Sequence, residues 1–234
     1  MLRIFYNYRK TGFLLCVLLL SFRGKAQVLF NIGEYRNMLY VSSGYNGSFT
    51  NITTGVGRRD YIKLIKREVV GVLDGSFHVS DLFFTRYSIR KGIQVDLYQK
   101  DWFRLPFMFA STSIVRHDKY VKLHDITAEL SIAPGIYKKN YTLALDCRYE
   151  LIAFRFEKYS KLYHQEINND VHTHWEYPHY SIGKVGVFAG INLKRFTFYT
   201  KFGYERNPFS GTNYLPGYVL LGVGYKCGTK PFKK

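Results

Sequence analysis

FTFYTKFGYE, residues 196–205, decides the fold. In an extended chain Phe196, Phe198, Thr200, Phe202 and Tyr204 fall on one face, and Thr197, Tyr199, Lys201, Gly203 and Glu205 on the other. Side chains alternate across a strand, so a period of two reads as β. The same split recurs outward from this stretch. Tyr141, Leu143, Leu145, Cys147, Tyr149 and Leu151 oppose Thr142, Ala144, Asp146, Arg148 and Glu150. Ile126, Ala128, Leu130 and Ile132 oppose Asp125, Thr127, Glu129 and Ser131, and Val185, Val187, Ala189 and Ile191 oppose Lys184, Gly186, Gly190 and Asn192. Val69, Leu73 and Phe77 face away from Glu68, Asp74, Ser76 and His78; Ile93, Val95 and Leu97 face away from Arg90, Gln94, Asp96 and Tyr98; Phe103, Leu105, Phe107 and Phe109 oppose Arg104. No stretch of the chain after residue 26 carries a comparable helical period, so the chain reads as all-β.

Alternation alone fits both a water-soluble sandwich and a membrane barrel. Three features favour the barrel. The apolar rows are crowded with Phe, Tyr, Leu and Val, while the polar rows mix charges with glycine. The strands run to about 10–14 residues, enough to cross an apolar band of about 25 Å when tilted and longer than the usual strand of about 5–6. Aromatic residues gather near the strand ends, at Tyr98 and Trp102, Tyr137 and Tyr141, Phe154 and Phe156, 175–180 and 214–218, as interfacial girdles do. Strands are expected near 37–46, 48–57, 64–78, 86–99, 102–116, 122–137, 140–157, 180–193, 195–206 and 217–227. That parity puts the short breaks at Lys100-Asp101, 138–140 and Lys194-Arg195 on one side, and the long stretches 158–179 and 207–216 on the other. A single antiparallel transmembrane β-barrel of about ten strands follows, with eight or twelve as alternatives. The first two strands are joined at Asn46-Gly47, a dipeptide suited to a tight hairpin.

Residues 1–26 read as a cleaved signal peptide: Arg3, Arg9 and Lys10, then an apolar run over 13–22, then Gly24-Lys25-Ala26 with small residues at the cut. The run is too short for a spanning helix. Residues 27–234 then form the barrel domain. The whole chain of 234 residues carries 34 Lys plus Arg against 17 acids, a formal +17; residues 1–26 hold five cations and no acid, so the exported chain keeps 29 against 17, or +12. Cys147 and Cys227 fall on different strands and no bridge between them is expected. No nucleic-acid motif accompanies the basic excess.

These features resemble a small Gram-negative outer-membrane β-barrel protein of porin-like, uncharacterised type. The signal peptide, the alternating rows and a last strand in which Val219, Leu221, Val223 and Tyr225 alternate with Gly222, Gly224 and Lys226 carry the likeness. The family usually closes on an aromatic residue that resembles the signal read by the barrel-assembly machinery; here Cys227 takes that place and a basic tail, 228–234, follows. The resemblance implies outer-membrane localisation after export.

With the polar rows turned inward, the lumen holds Glu68, Asp74, Asp96, Asp125, Glu129, Asp146, Glu150 and Glu205 against Lys66, Arg90, Arg104, Arg148, Lys184, Lys201 and Lys226. Near-equal charge of both signs in a narrow barrel pairs across the interior, because an unpaired ion away from water is costly. The lumen should therefore be filled or narrow, serving a structural or interaction role or a narrow porin-like channel. The surplus cations are expected in turns and tails, as at Arg58-Arg59, Lys138-Lys139, Lys194-Arg195 and 230–234, where lipid and lipopolysaccharide phosphates would meet them.

The sharpest loop chemistry is Asp170, His172, His174, Glu176 and His179. In an extended chain His172 and His174 project to one side and could share a divalent metal, although an incidental polar loop accounts for them as well, and no cofactor is expected. Outer-membrane proteases of the omptin type also use ten strands with acid and His pairs at the rim, which Asp170 with His172 or Asp118 with His117 would resemble. No Gly-x-Ser-x-Gly elbow is present, and no lipid-modifying Ser and His pair can be assigned. No catalysis is assigned; an omptin-like or lipid-modifying enzyme and a secreted lipocalin-like carrier with an apolar lumen are the alternatives.

Overall fold

The computed structural model describes residues 32, 35–46, 50–63, 67–79, 85–167, 170–178, 181–206 and 217–228. The signal peptide, Gly47, Lys66, His179, the connection 207–216 and the tail 229–234 lie outside them. The elements are β1 (Asn37–Asn46), β2 (Thr50–Ile62), β3 (Arg67–His78), β4 (Arg86–Lys100), β5 (Phe103–His117), β6 (Val121–Ile132), β7 (Gly135–Tyr137), β8 (Tyr141–Tyr159), α1 (Lys161–Glu166), β9 (His174–Glu176), β10 (Ser181–Leu193), β11 (Phe196–Arg206) and β12 (Gly217–Cys227). Every pairing is antiparallel. β1 pairs with β12 as well as β2, and β8 pairs with β10, so the sheet closes on itself. β6 and β7 form one stave interrupted at Ala133-Pro134, where proline cannot donate to the ladder. The barrel therefore has ten staves.

Two bulges tune the rows. The β4–β5 register shifts at Leu97, and the β6–β8 register shifts at Ala153. Each inserted residue flips the phase beyond it. Tyr98, expected on the polar row, therefore points outward with Leu97 and is half exposed. Beyond the second bulge Phe154 takes the outer face while Arg155 turns inward onto Asp125.

The two barrel ends differ. One carries the turns 101–102, 138–140 and 194–195, together with Asn37 and Cys227; it is called the turn end here, and the opposite end the loop end. Asp101 (φ 50°) and Lys194 (φ 52°) adopt the left-handed backbone that lets a two-residue hairpin follow the strand twist. The stretch 158–179 is less irregular than expected, since β8 continues to Tyr159 and is followed by α1 and β9. β2 is also longer than expected and runs through Arg58 and Arg59. They are strand residues, held by Asp60 (2.8 Å) and Glu68 (3.7 Å), and not the turn cations the sequence suggests. Cys147 and Cys227 are both free thiols.

The outer face is predominantly apolar. Leu39, Val41, Leu130, Leu143, Leu145, Val185, Ile191, Phe198, Phe202, Val219 and Leu221 are each about half exposed. They share the adjoining staves β6, β8, β10, β11, β12 and β1, a belt far larger than the single hydrophobic residues scattered over a water-soluble surface. The exposed Lys91 and Ser111 interrupt the outward rows of β4 and β5. Aromatic pairs flank the belt: Tyr98 with Phe103 and Phe196 with Tyr225 at the turn end, Phe154 with Tyr177 and Phe156 with Trp175 at the loop end.

The interior is layered. Toward the turn end Ile32, Met38, Tyr40, Val70, Ala133, Tyr137, Ala144, Phe188 and Tyr199 pack into one apolar cluster. The expected lumen, filled or narrow with charges of both signs, is thus divided: most of the ionic side chains occupy the loop-end half and greasy side chains fill much of the rest. The inner rows of β10 and β11 supply the bulk, with Phe188 between the outward Val187 and Ala189, and Tyr199 between Phe198 and Thr200. The barrel is narrow enough that Gly186 and Gly203, paired directly across β10 and β11, lie under the Tyr218 ring. A Cβ on Gly203 would collide with the Val185 carbonyl and the Gly186 Cα. Gly203→Val should accordingly cost about 1–3 kcal/mol or more in denaturant titration, whereas Gly217→Ala, where only the Gly203 carbonyl stands near at 3.7 Å, should be close to neutral.

Candidate functional site

The loop-end half of the lumen holds a connected set of buried ions. Glu129, on β6, is its hub: Arg90 of β4 donates to it, and Arg148 of β8 lies 3.5 Å away. Arg148 reaches Asp146 at 3.5 Å and Glu150 at 3.9 Å. Lys184 of β10 bridges Glu150 (3.3 Å) and Glu205 (3.2 Å), and Lys201 of β11 meets Asp146 at 3.1 Å. Asp74 stands opposite Arg90 across β3 and β4 and accepts the Tyr40 hydroxyl at 3.0 Å. The alternation of the strands explains the convergence, since each residue sits on the inner row of its stave. Asp125, Asp146 and Glu129 are at most 2% exposed. Ions so deep persist only when paired and hydrogen-bonded.

Of the expected lumen residues, Asp74, Arg90, Glu129, Asp146, Arg148, Glu150, Lys184, Lys201 and Glu205 are thus brought together. Asp96 and Arg104 pair at 3.6 Å near the turn end, apart from this set. Glu68 is at the turn-end rim, 63% exposed and bound to Arg59, so it is not a lumen residue in the expected sense. Lys226 is buried at the turn end and donates to the Asn192 side chain at 2.7 Å, with Thr197 on the same oxygen. Sequence reasoning named Asp125 but missed its partners. Arg155 binds it through two contacts, 2.6 and 3.2 Å, and Arg116 through a third at 2.9 Å. Arg116 was detectable as the inner-row partner on β5; Arg155 was hidden by the bulge at Ala153.

The shape is a funnel. A cavity of about 500 Å³ at the loop end, lined by His78, Arg86, Arg116, His117 and Glu205 among others, continues into a chamber of about 220 Å³. Asp74, Arg90, Glu129, Arg148, Glu150, Lys184 and Lys201 wall that chamber. Asn51, Ser76, Ser88, Ile114 and Glu205 line both spaces. Beneath lies the apolar cluster, and Lys201 sits over the Phe188 ring, 5.5 Å from its centre, where the ionic and apolar layers meet. The arrangement can hold a small polar ligand at its floor, above the apolar cluster.

The loop residues are placed as follows. His174 is on β9, with Nδ1 2.7 Å from the His172 carbonyl and Nε2 2.8 Å from Glu176. The His172 carbonyl, first, and then Glu176 favour the protonated ring and raise its pKa above the ordinary histidine value. Glu157 of β8, Glu176 and His174 offer ligand atoms within 4.8 Å of one another; the His172 ring is not part of that group. Asp170 and His172 are exposed. Asp118 caps the turn before β6, accepting the Tyr120 and Val121 amides at 2.8 and 2.7 Å, so its carboxylate is committed to the backbone.

No protein-family model matches the chain, and no curated protein matches it. Among solved structures, the chain is similar to the translocator domain of the autotransporter NalP from Neisseria meningitidis, at 12% identity and a TM-score of 0.37, over 82% of this chain and 87% of that chain.

Proposed function

We propose that the protein is an integral outer-membrane β-barrel that does not conduct, a structural or interaction protein whose closed lumen forms a blind ionic cup at the loop end. The observation that carries this is the inverted polarity of a closed barrel: a predominantly apolar outer face, interrupted at Lys91 and Ser111 on β4 and β5, and paired, buried ions inside. Such a surface is stable against acyl chains, and a closed sheet leaves no backbone edge unsatisfied there. Export through the signal peptide brings it to the barrel-assembly machinery. At the turn end Lys100, Lys138, Lys139, Lys194 and Arg195 are exposed, and at the loop end Lys119, Lys122, Lys158 and Lys161 are. These collars suit phospholipid and lipopolysaccharide phosphates, each cation contributing about 1 kcal/mol at an anionic surface. The apolar cluster below the ion network favours closure over a porin-like conduit, and no catalytic role is assigned.

The test is electrical. Reconstituted into planar bilayers, the folded protein is expected to give no discrete conductance steps. Regular single-channel steps that vanish with the unfolded protein would overturn the closed-lumen reading and favour the narrow channel.

A further inference from the structure

β8 rises beyond β10 at the loop end, with β6 still paired along its other edge, and pairs there with β9, placing Glu157 opposite His174 and Arg155 opposite Glu176. Arg155 turns inward onto the buried Asp125, and Glu157, two residues on, shares its face. We propose that Glu157, His174 and Glu176 form a binding site for a divalent cation of the zinc class, which clasps β9 to β8. Three observations carry the assignment.

First, the donor set converges: one atom each from two carboxylates and an imidazole lie within 4.8 Å of one another. A tetrahedral ion with bonds of about 2.0–2.2 Å spaces its donors about 3.4 Å apart. Small rotations of the exposed His174 and the half-buried Glu157 and Glu176 would close that difference. Second, the donors are oriented as metal ligands are. The His174 Nδ1 donates to the His172 carbonyl at 2.7 Å and aims Nε2 at the carboxylates; this backbone anchor is how ligating histidines are held. The Tyr159 hydroxyl donates to Glu157 Oε2 at 2.5 Å, fixing one oxygen and leaving the other. Third, the charge balances. Two carboxylates with a neutral imidazole match a divalent ion, and the nearby Arg155 guanidinium is engaged by Asp125 through two bonds. A cation would take the position of the Nε2 proton now shared with Glu176 at 2.8 Å. Three protein donors leave further positions to water. A nitrogen ligand with only two carboxylates suits zinc, whereas calcium wants six to eight oxygens.

The clasp also has something to do. β9 is three residues long and α1 buries none of its side chains, so the ring packing of this lobe rests on the Phe156–Trp175, Phe154–Tyr177 and Tyr159–Tyr163 contacts.

The experiment is calorimetric titration of zinc chloride into the folded, chelator-stripped protein in detergent micelles, with heat-modified gel mobility confirming that each variant folds. Wild type should bind one zinc, and Glu157→Gln and His174→Ala should each weaken binding about tenfold or more. His172→Ala, which leaves the carbonyl in place, should bind within about twofold of wild type, and calcium chloride should give no saturable heat. The proposal is overturned if folded His174→Ala binds zinc as tightly as wild type. It is equally overturned if His172→Ala abolishes binding while Glu157→Gln leaves it intact, because the ion would then be held by the two histidine rings.

Discussion

Replacing Glu129 by alanine should lower the stability of the folded barrel by about 3–5 kcal/mol, the largest loss expected from any single truncation in the ion network. The Glu129 side chain is 3% exposed and receives Arg90, whose side chain is 6% exposed, as well as Arg148. Arg148 keeps Asp146 and Glu150 when Glu129 is gone, but Arg90 is left with the weak Met108 sulfur contact at 3.8 Å and its cross-strand neighbour Asp74, whose carboxylate already accepts Tyr40. A guanidinium is thus left buried without the carboxylate that pairs with it. Denaturant titration in micelles, followed by tryptophan fluorescence, measures the loss. The matched control is Lys119→Ala. Its pairing with Glu166 spans 3.9 Å between side chains 62% and 46% exposed, and such a pair contributes at most about 1 kcal/mol. The double variant Arg90→Met with Glu129→Leu separates two explanations. If the single variant fails because an ion is orphaned, replacing both ions by apolar groups should restore stability to within about 1 kcal/mol of wild type. If the pair is needed to hold β4 and β6 in place on either side of β5, the double variant should be as damaged as the single one.

The alternation that makes this network was legible in residues such as Asp146, Arg148 and Glu150, because a period of two survives whatever surrounds the strand. Nine of the ionic side chains it placed inside do meet there. What was not legible follows from tertiary geometry. Periodicity cannot see a bulge, so Tyr98 was assigned to the wrong row and Arg155 was not linked to Asp125. Nor does it say how much space an inner row encloses: Phe188, Tyr199 and Met38 sit on polar-reading rows, yet they meet across the lumen as an apolar floor. Arg58 and Arg59 looked like a break because consecutive cations interrupt a hydrophobic pattern. Their partners Asp60 and Glu68, the latter on the neighbouring stave, make them acceptable within β2. At the loop end, the sequence singled out His172 and His174 from their spacing. The strand pairing replaces the His172 ring with Glu157, seventeen residues before His174 in sequence and opposite it in space.

Phe202→Arg is the substitution that tests which way the barrel faces its surroundings. Phe202 is on β11, flanked by Val187 and Val219 on the adjoining staves, and its outward ring is 48% exposed. β11 starts at the turn end at Phe196 and spans eleven residues. With strands tilted about 40° and an apolar band of about 25 Å, Phe202 lies near the middle of that band. The chain already carries a cation one residue earlier: Lys201 turns inward, 3.1 Å from Asp146. Phe202→Arg therefore adds a second cation one position on, facing hydrocarbon where Lys201 faces an ionic partner. In lipid vesicles, reversible denaturant titration should show a loss of about 2–4 kcal/mol for Phe202→Arg. Phe196→Arg, at the turn-end interface beside Arg195, should lose only about 0–1 kcal/mol. That depth dependence is specific to a bilayer. On a protein dissolved in water, an outward arginine would be solvated equally well at either position, and Phe202→Arg would match or exceed wild type in stability and solubility. Equal, negligible costs at residues 196 and 202 would thus remove the membrane from the account, and a steep difference between them would place the apolar belt against lipid.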